Sequence, residues 1–302
     1  MYPVLLNLGP VAIGSFGFSL VVAFLAGSFV IWKRGRDEHF EEESLFDAIL
    51  IILFWSLLGA RVLYVMLNFD NFGFDLMKMA SFTKFSGMSF LGGALTGLIT
   101  LSIYARAKKW IFFEIADIFA VGLALAQAIG YVGLFLNGGG YGTLSNAPWA
   151  VSFPGVEGTR HPTQLYAMLL LLLLFLFLSK VISKYRTYDW YKASASAANN
   201  GLVFFVYLIG LGILNLMLAF LSPMKIYWFR FALVGWIGLG LIILGFVGGY
   251  VRSGRIWRDD LSGIKRAIMG LVKKTSGSKK ISLSRNKRKK RKREITAGMD
   301  VK

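Results

Sequence analysis

The chain has 302 residues, of which 56% are hydrophobic and 17% are charged. Soluble domains are about one-quarter charged, so this composition indicates a polytopic membrane protein. The sequence contains no cysteine, which excludes disulfides, thiolate metal sites and cysteine nucleophiles. Classical zinc and cysteine–histidine chemistry is thereby excluded, and only His39 and His161 can supply an imidazole. We predict no metal and no cofactor.

The formal net charge of +18 does not indicate a nucleic-acid partner, because the basic residues are unevenly placed. Eighteen of the 34 lysines and arginines follow Val251, and every residue from Lys287 to Arg293 is basic. We predict that residues 1–252 form a transmembrane domain. Residues 253–302 are expected to form a disordered cytoplasmic tail attracted to anionic lipid.

Seven apolar windows of about 20 residues each predict transmembrane helices. In chain order they lie near residues 11–32, 45–67, 86–105, 112–136, 161–183, 200–222 and 229–251. The predicted fold is all-α, a polytopic seven-helix bundle. The first window lacks a following small-residue cleavage site, so it should remain as a helix. Small residues four apart, as at Gly122, Ala126 and Gly130, predict close helix packing.

The basic residues of the connections predict the orientation of the bundle, because positively charged loops are retained in the cytoplasm. The connections near 33–44, 105–111 and 179–199 hold ten lysines and arginines, and those of the opposite side hold four. The N-terminus is therefore predicted outside and the C-terminus inside. The two long loops, 68–85 and 137–160, are expected to form a head region on the outer face.

Two ionisable residues lie inside predicted spans, where burial of a charge is costly. Arg61 lies about two turns before the outer end of the second span. Its guanidinium offers paired donors that match a lipid phosphate. Asp117 lies near the inner end of the fourth span. A structural ion pair or snorkelling remains the alternative for each residue.

The fourth span ends in the glycine-rich segment Asn137-Gly138-Gly139-Gly140-Tyr141-Gly142. Glycines permit positive φ and close backbone approach, so this turn could present amide donors to a lipid head group. A flexible loop is the alternative interpretation.

A polar cluster, Arg160 to Tyr166, runs directly into the uncharged segment from Ala167 to Leu178. Pro162 fits the first turn of the fifth helix, where its missing N–H costs nothing. Arg160, His161 and Gln164 would then surround a helix N-terminus, a favourable site for phosphate. A capped helix start with a snorkelling arginine is the alternative.

Together these segments resemble the prolipoprotein diacylglyceryl transferase family over about residues 1 to 252. The motifs are Leu8-Gly9-Pro10, Ser15-Phe16-Gly17, Gly59-Ala60-Arg61-Val62-Leu63-Tyr64, Gly87-Met88-Ser89-Phe90-Leu91-Gly92-Gly93, Asp117 to Gly142, and Arg160 to Tyr166. The resemblance implies a bacterial inner-membrane enzyme of lipoprotein biosynthesis. Such an enzyme moves diacylglycerol from phosphatidylglycerol to a cysteine of a lipoprotein precursor.

The chain departs from the family pattern at several motif positions. Leu91 replaces a histidine, Tyr131 an arginine, Leu134 an asparagine, Gly139 an acidic residue and Ala167 a glutamate, and an arginine is replaced at Leu221 or Ser222. The transfer needs a group that stabilises the departing glycerol phosphate and one that helps to deprotonate the thiol. Of the histidines, only His161 is positioned to act as that base.

The resemblance implies two sets of site residues. The catalytic residues are His161, Arg160 and Tyr131. The substrate-binding residues are Arg61, Ser89, Asn137, Gly142, Gln164 and Tyr166. One alternative is a catalytically silent paralogue that binds lipid or lipoprotein precursors without turnover. A small-solute transporter is a weaker alternative, because the sequence shows no internal repeat.

Overall fold

The computed structural model describes residues 2–8, 11–81, 87–187, 200–223, 227–228 and 231–252. Its helices are α1 Ser15–Asp37, α2 Glu42–Leu67, α3 Phe69–Phe72, α4 Leu76–Ala80, α5 Phe90–Ala107, α6 Phe112–Asn137, α7 Thr163–Thr187, α8 Leu202–Leu221 and α9 Leu233–Arg252. The seven helices other than α3 and α4 are long and apolar enough to cross a membrane. The predicted all-α, seven-span fold is confirmed.

Three short antiparallel hairpins accompany the helices in the described part of the chain. They pair β1 Val4–Leu8 with β2 Val11–Gly14, β3 Val151–Ser152 with β4 Thr159–Arg160, and β5 Tyr227–Trp228 with β6 Phe231–Ala232. The first hairpin shows that the predicted start of the first span, near residue 11, is wrong. Residues 11–14 are extended, and the helix begins at Ser15, whose amide donates to the Pro3 carbonyl at 2.9 Å.

Helix α6 lies at the centre of the bundle and packs against α1, α7 and α8. Ile115, Ile118 and Val121 are completely buried within it. A Cβ at Gly122 would lie 2.8 Å from the Gly27 carbonyl oxygen of α1, so this crossing requires a glycine. The predicted packing role is wrong for Gly130, where a Cβ would meet no atom within 4 Å.

Helices α2 and α5 form a pair that joins the bundle at one end. Leu45 and Ala48, from the first turns of α2, share a buried cluster with α6, as does Ala105 from the last turn of α5. Toward the other end of the pair, Leu57 of α2 and Leu95 of α5 are exposed. The two helices therefore contact α6 mainly near the start of α2 and the end of α5.

The chain begins at the end of the bundle where α2 and α6 finish and α5 and α7 start, and we call this the N-terminal end. The Tyr2 amide donates to the Leu136 carbonyl at 3.1 Å, which places the first strand beside the end of α6. The predicted basic tail, 253–302, lies outside the described residues.

Candidate functional site

The segment after α6 is a fixed turn, which we call the glycine turn (138–142). Gly138 ends the helix with a φ of 79°, in the left-handed region that favours glycine. The Gly138 and Gly139 amides donate to the carbonyls of Phe135 and Leu134, at 3.0 and 3.2 Å. The Gly142 amide donates to the His161 carbonyl at 2.8 Å. These three amides are therefore used within the chain.

The start of α7 holds the glycine turn through side chains that donate to its carbonyl oxygens. Thr163 Oγ1 donates to the Gly140 carbonyl, and Gln164 Nε2 donates to the Gly139 carbonyl, both at 2.6 Å. The helix begins at Thr163, one residue after Pro162, so the prediction that Pro162 lies in the first turn is wrong. The turn consequently offers carbonyl oxygens to α7.

Two polar atoms of opposite kind are buried beside this turn without a partner among the described residues. They are Nε of Arg160, a donor, and Oε1 of Gln164, an acceptor. Nη1 of Arg160 makes only a long contact, 3.5 Å, with the Gly142 carbonyl, and its guanidinium carbon lies 5.2 Å from the Tyr141 ring centroid. A buried unpaired polar group costs about 1–3 kcal/mol. A ligand that pairs both atoms would recover that free energy.

The imidazole at this site belongs to a chain of three polar side chains. Trp149 Nε1 donates to the Tyr166 hydroxyl oxygen at 2.7 Å. The same oxygen lies 3.1 Å from Nδ1 of His161. The structure thus brings together Arg160, His161, Gln164 and Tyr166 around the start of α7, as the helix geometry predicts.

Sequence reasoning missed two members of this arrangement. Trp149 lies 17 residues before Tyr166 in an irregular loop, and no spacing rule connects them. The sequence does indicate a backbone contact for Thr163, because a hydroxyl residue at a helix start commonly bonds to nearby backbone. Its partner, Gly140, is 23 residues away and is not evident from the sequence.

The positions where the resemblance expects other residues lie mostly around the glycine turn. Tyr131 packs beside a buried cluster that includes Ala167, and its hydroxyl makes no hydrogen bond within the described ranges. Leu134 lies under the turn, since a Cβ at Gly140 would be 2.8 Å from Leu134 Cδ2. The Leu221 carbonyl accepts from the Thr143 amide at 2.7 Å, so it borders the same region.

The remaining predicted site residues occupy different surroundings. Asn137 is exposed at the last position of α6. Ser89 caps α5, with its hydroxyl oxygen 3.4 Å from the Gly92 amide, and its own amide donates to the Ala60 carbonyl at 2.9 Å. Leu91, at a position where the resemblance expects histidine, is 43% exposed.

Arg61 is only 5% exposed, and its guanidinium contacts four backbone carbonyl oxygens. They belong to Met79 at 2.9 Å, Gly87 at 3.0 Å, Lys78 at 3.3 Å and Ser81 at 2.8 Å. These bonds fasten α4, the residue that follows it and the residues just before α5 to α2. Arg61 thus bonds to α4 and to the residues before α5, whereas Arg160 contacts the glycine turn, so the predicted site residues fall into two regions.

Asp117 caps a helix at the opposite end of the bundle. Its carboxylate oxygens accept from the amides of Gly201 and Phe204, each at 2.7 Å, where α8 begins. A carboxylate at a helix N-terminus satisfies free amides and favours the helix dipole. The geometry gives Asp117 a structural role as a helix cap, which neither sequence alternative, an ion pair or snorkelling, predicts.

Sequence comparison identifies the family of this chain. The family model described as prolipoprotein diacylglyceryl transferase matches residues 3–251. The chain belongs to the prolipoprotein diacylglyceryl transferase family. The match spans all seven candidate transmembrane helices except the last residue of α9, which identifies a multi-pass membrane protein of a bacterial family.

Several relatives are named phosphatidylglycerol–prolipoprotein diacylglyceryl transferase. The Finegoldia magna protein is 28% identical over 77% of this chain and 88% of its own length. The Bordetella avium protein is 35% identical over 59% of this chain and 71% of its own length. The Vibrio atlanticus protein is 33% identical over 61% of this chain and 69% of its own length.

Proposed function

We propose that this protein transfers the diacylglyceryl group from phosphatidylglycerol to the lipobox cysteine of a lipoprotein precursor. Family membership supports this activity, and the comparisons do not favour the silent paralogue. The single observation that carries the site assignment is the pair of buried, unpartnered atoms, Arg160 Nε and Gln164 Oε1. One donates and the other accepts, as a head group with a phosphate and hydroxyls requires.

The N-terminal end of the bundle then faces outward across the bacterial inner membrane. The unequal distribution of basic residues between the connections, ten against four, supports this orientation. The glycine turn, the loop that follows it, and α3 and α4 form the outer head region. The basic tail lies in the cytoplasm, where its lysines and arginines contact anionic lipid.

Arg160 binds the phosphate of the donor lipid. Its Nε is unpaired, and its Nη1 contact of 3.5 Å is too long to compete with a charge-assisted bond to phosphate. The N-terminus of α7 adds a positive dipole end beside it. As the carbon–oxygen bond of the lipid breaks, its electron pair stays on the phosphate oxygen, and the guanidinium stabilises the charge.

Gln164 accepts a hydrogen bond from a hydroxyl of the glycerol head group. Its Nε2 is fixed on the Gly139 carbonyl, so its Oε1 remains as the free acceptor. Tyr131 supplies a hydroxyl donor toward the phosphate from α6, at the position where the resemblance expects arginine. Asn137 and Gly142 shape the edge of this site; a side chain at Gly142 would meet the His161 carbonyl oxygen at 2.8 Å.

His161 is the base that removes the proton from the incoming cysteine thiol. The thiolate then attacks the glyceryl carbon, a carbon–sulfur bond forms and glycerol phosphate departs. Its ring is held by Tyr166, whose hydroxyl lies 3.1 Å from Nδ1. Arg61 and Ser89 lie in the other region, where Arg61 holds the end of α4 and Ser89 caps α5.

The donor lipid enters sideways from the outer leaflet. The α2–α5 pair joins α6 near the opposite end of the bundle, and Leu57 and Leu95 are exposed toward the N-terminal end. Apolar side chains on that side favour contact with acyl chains. The acceptor cysteine belongs to a membrane-anchored precursor and reaches the same end.

Purified protein in phosphatidylglycerol vesicles, given a membrane-anchored lipobox peptide, tests this function. We expect a thioether-linked diacylglyceryl peptide, detected by mass spectrometry. A matched peptide with serine in place of cysteine is the control and should stay unmodified. Saturable phosphatidylglycerol binding without any modified peptide would contradict the proposal and favour the silent paralogue.

A further inference from the structure

We infer that Trp149 is a positioning residue for the proton transfer. Its indole N–H holds the Tyr166 hydroxyl so that the phenol oxygen receives the thiol proton and passes its own proton to His161. This inference rests on the proposed function and deepens it, because it assigns the atom that meets the thiol. We call the three side chains of Trp149, Tyr166 and His161 the hydroxyl relay.

The hydrogen-bonding capacity of a phenol fixes the direction of the Trp149 bond and favours one direction for the bond to His161. A tyrosine hydroxyl has one hydrogen to donate and two lone pairs to accept with, whereas an indole can only donate. Trp149 Nε1 lies 2.7 Å from the Tyr166 oxygen, so one lone pair is occupied. His161 Nδ1, 3.1 Å away, is the acceptor within reach of the hydroxyl hydrogen, and we assign the hydrogen to that bond.

This arrangement selects one tautomer of the imidazole. Because Nδ1 accepts from Tyr166, the neutral His161 ring carries its hydrogen on Nε2. The second lone pair of the Tyr166 oxygen remains for the thiol. Without the Trp149 contact both lone pairs of the phenol oxygen are free, so the alternative in which Nδ1 carries the hydrogen and donates to Tyr166 becomes more favourable.

The proton and the electrons balance along the relay. The thiol proton moves to the Tyr166 oxygen while the hydroxyl proton of Tyr166 moves to His161 Nδ1, which leaves a thiolate and an imidazolium. The thiolate forms the sulfur–carbon bond, and the electron pair of the broken carbon–oxygen bond leaves on the phosphate. The imidazolium proton returns through Tyr166 to the departing phosphate or to water.

The exposure of Trp149 argues that its N–H contact is more than a result of packing. The side chain is 61% exposed, so core burial does not force the ring into this position. Trp55 of α2 provides a matched comparison. It is 51% exposed and packs on Phe54, and its indole has no hydrogen-bond partner in the described ranges.

Imidazole tautomers can be read directly in this chain because it has only two histidines. With isotope-labelled histidine in lipid nanodiscs, at a pH where both rings are neutral, nitrogen NMR distinguishes the two tautomers. We expect His161 to carry its hydrogen on Nε2 in the wild type. Trp149→Phe should produce a tautomer mixture, while Trp55→Phe should leave the spectrum unchanged, and His39→Gln assigns the signals.

Transfer kinetics on the same variants complete the test. Trp149→Phe should lower kcat about tenfold with little change in KM for phosphatidylglycerol, since one orienting hydrogen bond is lost. Tyr166→Phe should lower kcat by about a hundredfold or more. Trp55→Phe should match the wild type.

Three results would overturn the inference. These are an Nδ1–H tautomer in wild-type His161, an unchanged tautomer in Trp149→Phe, or equal kcat values for Trp149→Phe and Trp55→Phe. A wild-type protein that shows the expected tautomer but transfers nothing would contradict the proposed function, and with it the catalytic role of Trp149, while the hydrogen-bond arrangement would stand.

Discussion

Two arginines at the N-terminal end of the bundle look equivalent in the sequence and differ in the structure. Arg61, on α2, donates to four backbone carbonyl oxygens at 2.8–3.3 Å. Arg160, beside the glycine turn, has one contact at 3.5 Å and an unpaired buried Nε. The comparison shows that a cation is available to a ligand only where the backbone has not already occupied its donors.

The physical basis is the fixed number of guanidinium donors. An arginine has five N–H groups, and Arg61 uses Nε, Nη1 and Nη2 in contacts with its own chain. A phosphate at Arg61 would have to displace carbonyls that would then be buried without partners. At Arg160 a phosphate displaces almost nothing. We therefore expect substitutions of Arg160 to lower the transfer rate and substitutions of Arg61 to lower the stability of the fold.

The largest predicted effect is on the transfer rate of Arg160→Ala. Loss of one preorganised donor to a developing oxyanion lowers the rate about 10²- to 10³-fold, so kcat/KM should fall by at least that much. Arg160→Lys keeps the charge and lacks the planar fork, and should recover only part of the loss. The thermal midpoint in detergent should change little in both. Transfer by Arg160→Ala at the wild-type rate would refute the phosphate role.

Arg61→Lys tests the expectation that Arg61 stabilises the fold and does not bind the lipid. A lysine cannot reproduce the fork that holds Met79, Gly87 and Ser81, so we expect a loss of about 2–4 kcal/mol of stability. The measurement is the thermal midpoint, together with protease cleavage between residues 69 and 87. A normal midpoint with a large loss of phosphatidylglycerol affinity would show that Arg61 binds the lipid after all.

Gln164→Leu should have an intermediate effect. Removal of the unpaired Oε1 is expected to lower kcat/KM for phosphatidylglycerol about tenfold, the cost of one hydrogen bond. Thr163→Val is the matched control, because it removes a 2.6 Å bond to the same turn and leaves Oε1 in place. Equal losses of kcat/KM in the two variants would mean that Gln164 only holds the turn.

The smallest effect is predicted for Asp117→Asn. Like Arg61, this buried side chain is already bonded to backbone, through the Gly201 and Phe204 amides at 2.7 Å. Conversion to an amide should lower stability by about 1 kcal/mol, since an amide oxygen still caps the helix. Transfer by the folded protein should be unchanged. A large loss of kcat at a normal thermal midpoint would contradict the view that ionisable side chains hydrogen-bonded to backbone only stabilise the fold.

The sequence predicts the seven spans well because a span is a local property, a run of apolar residues long enough to cross the bilayer. The cluster from Arg160 to Tyr166 is also local, and the geometry of one helix start brings its side chains together. The partners of Arg61 lie 17 to 26 residues away in sequence, and Trp149 lies in an irregular loop. Such contacts depend on where the backbone turns, which hydropathy and spacing do not specify.

Gly130 also shows that residue spacing does not specify tertiary contacts. Its spacing from Gly122 and Ala126 predicts a helix contact, yet a Cβ there would meet open space. A repeat of small residues marks one face of a helix, but only the neighbouring helices determine how far along that face the contact extends.

The most direct test of the account compares wild type, Arg160→Ala and Arg61→Lys in one transfer assay with labelled phosphatidylglycerol and a lipobox peptide. The account predicts a modified peptide from the wild type and almost none from Arg160→Ala. Arg61→Lys should transfer in proportion to the fraction that remains folded. No transfer by the wild type, or the reverse ranking of the two variants, would contradict it.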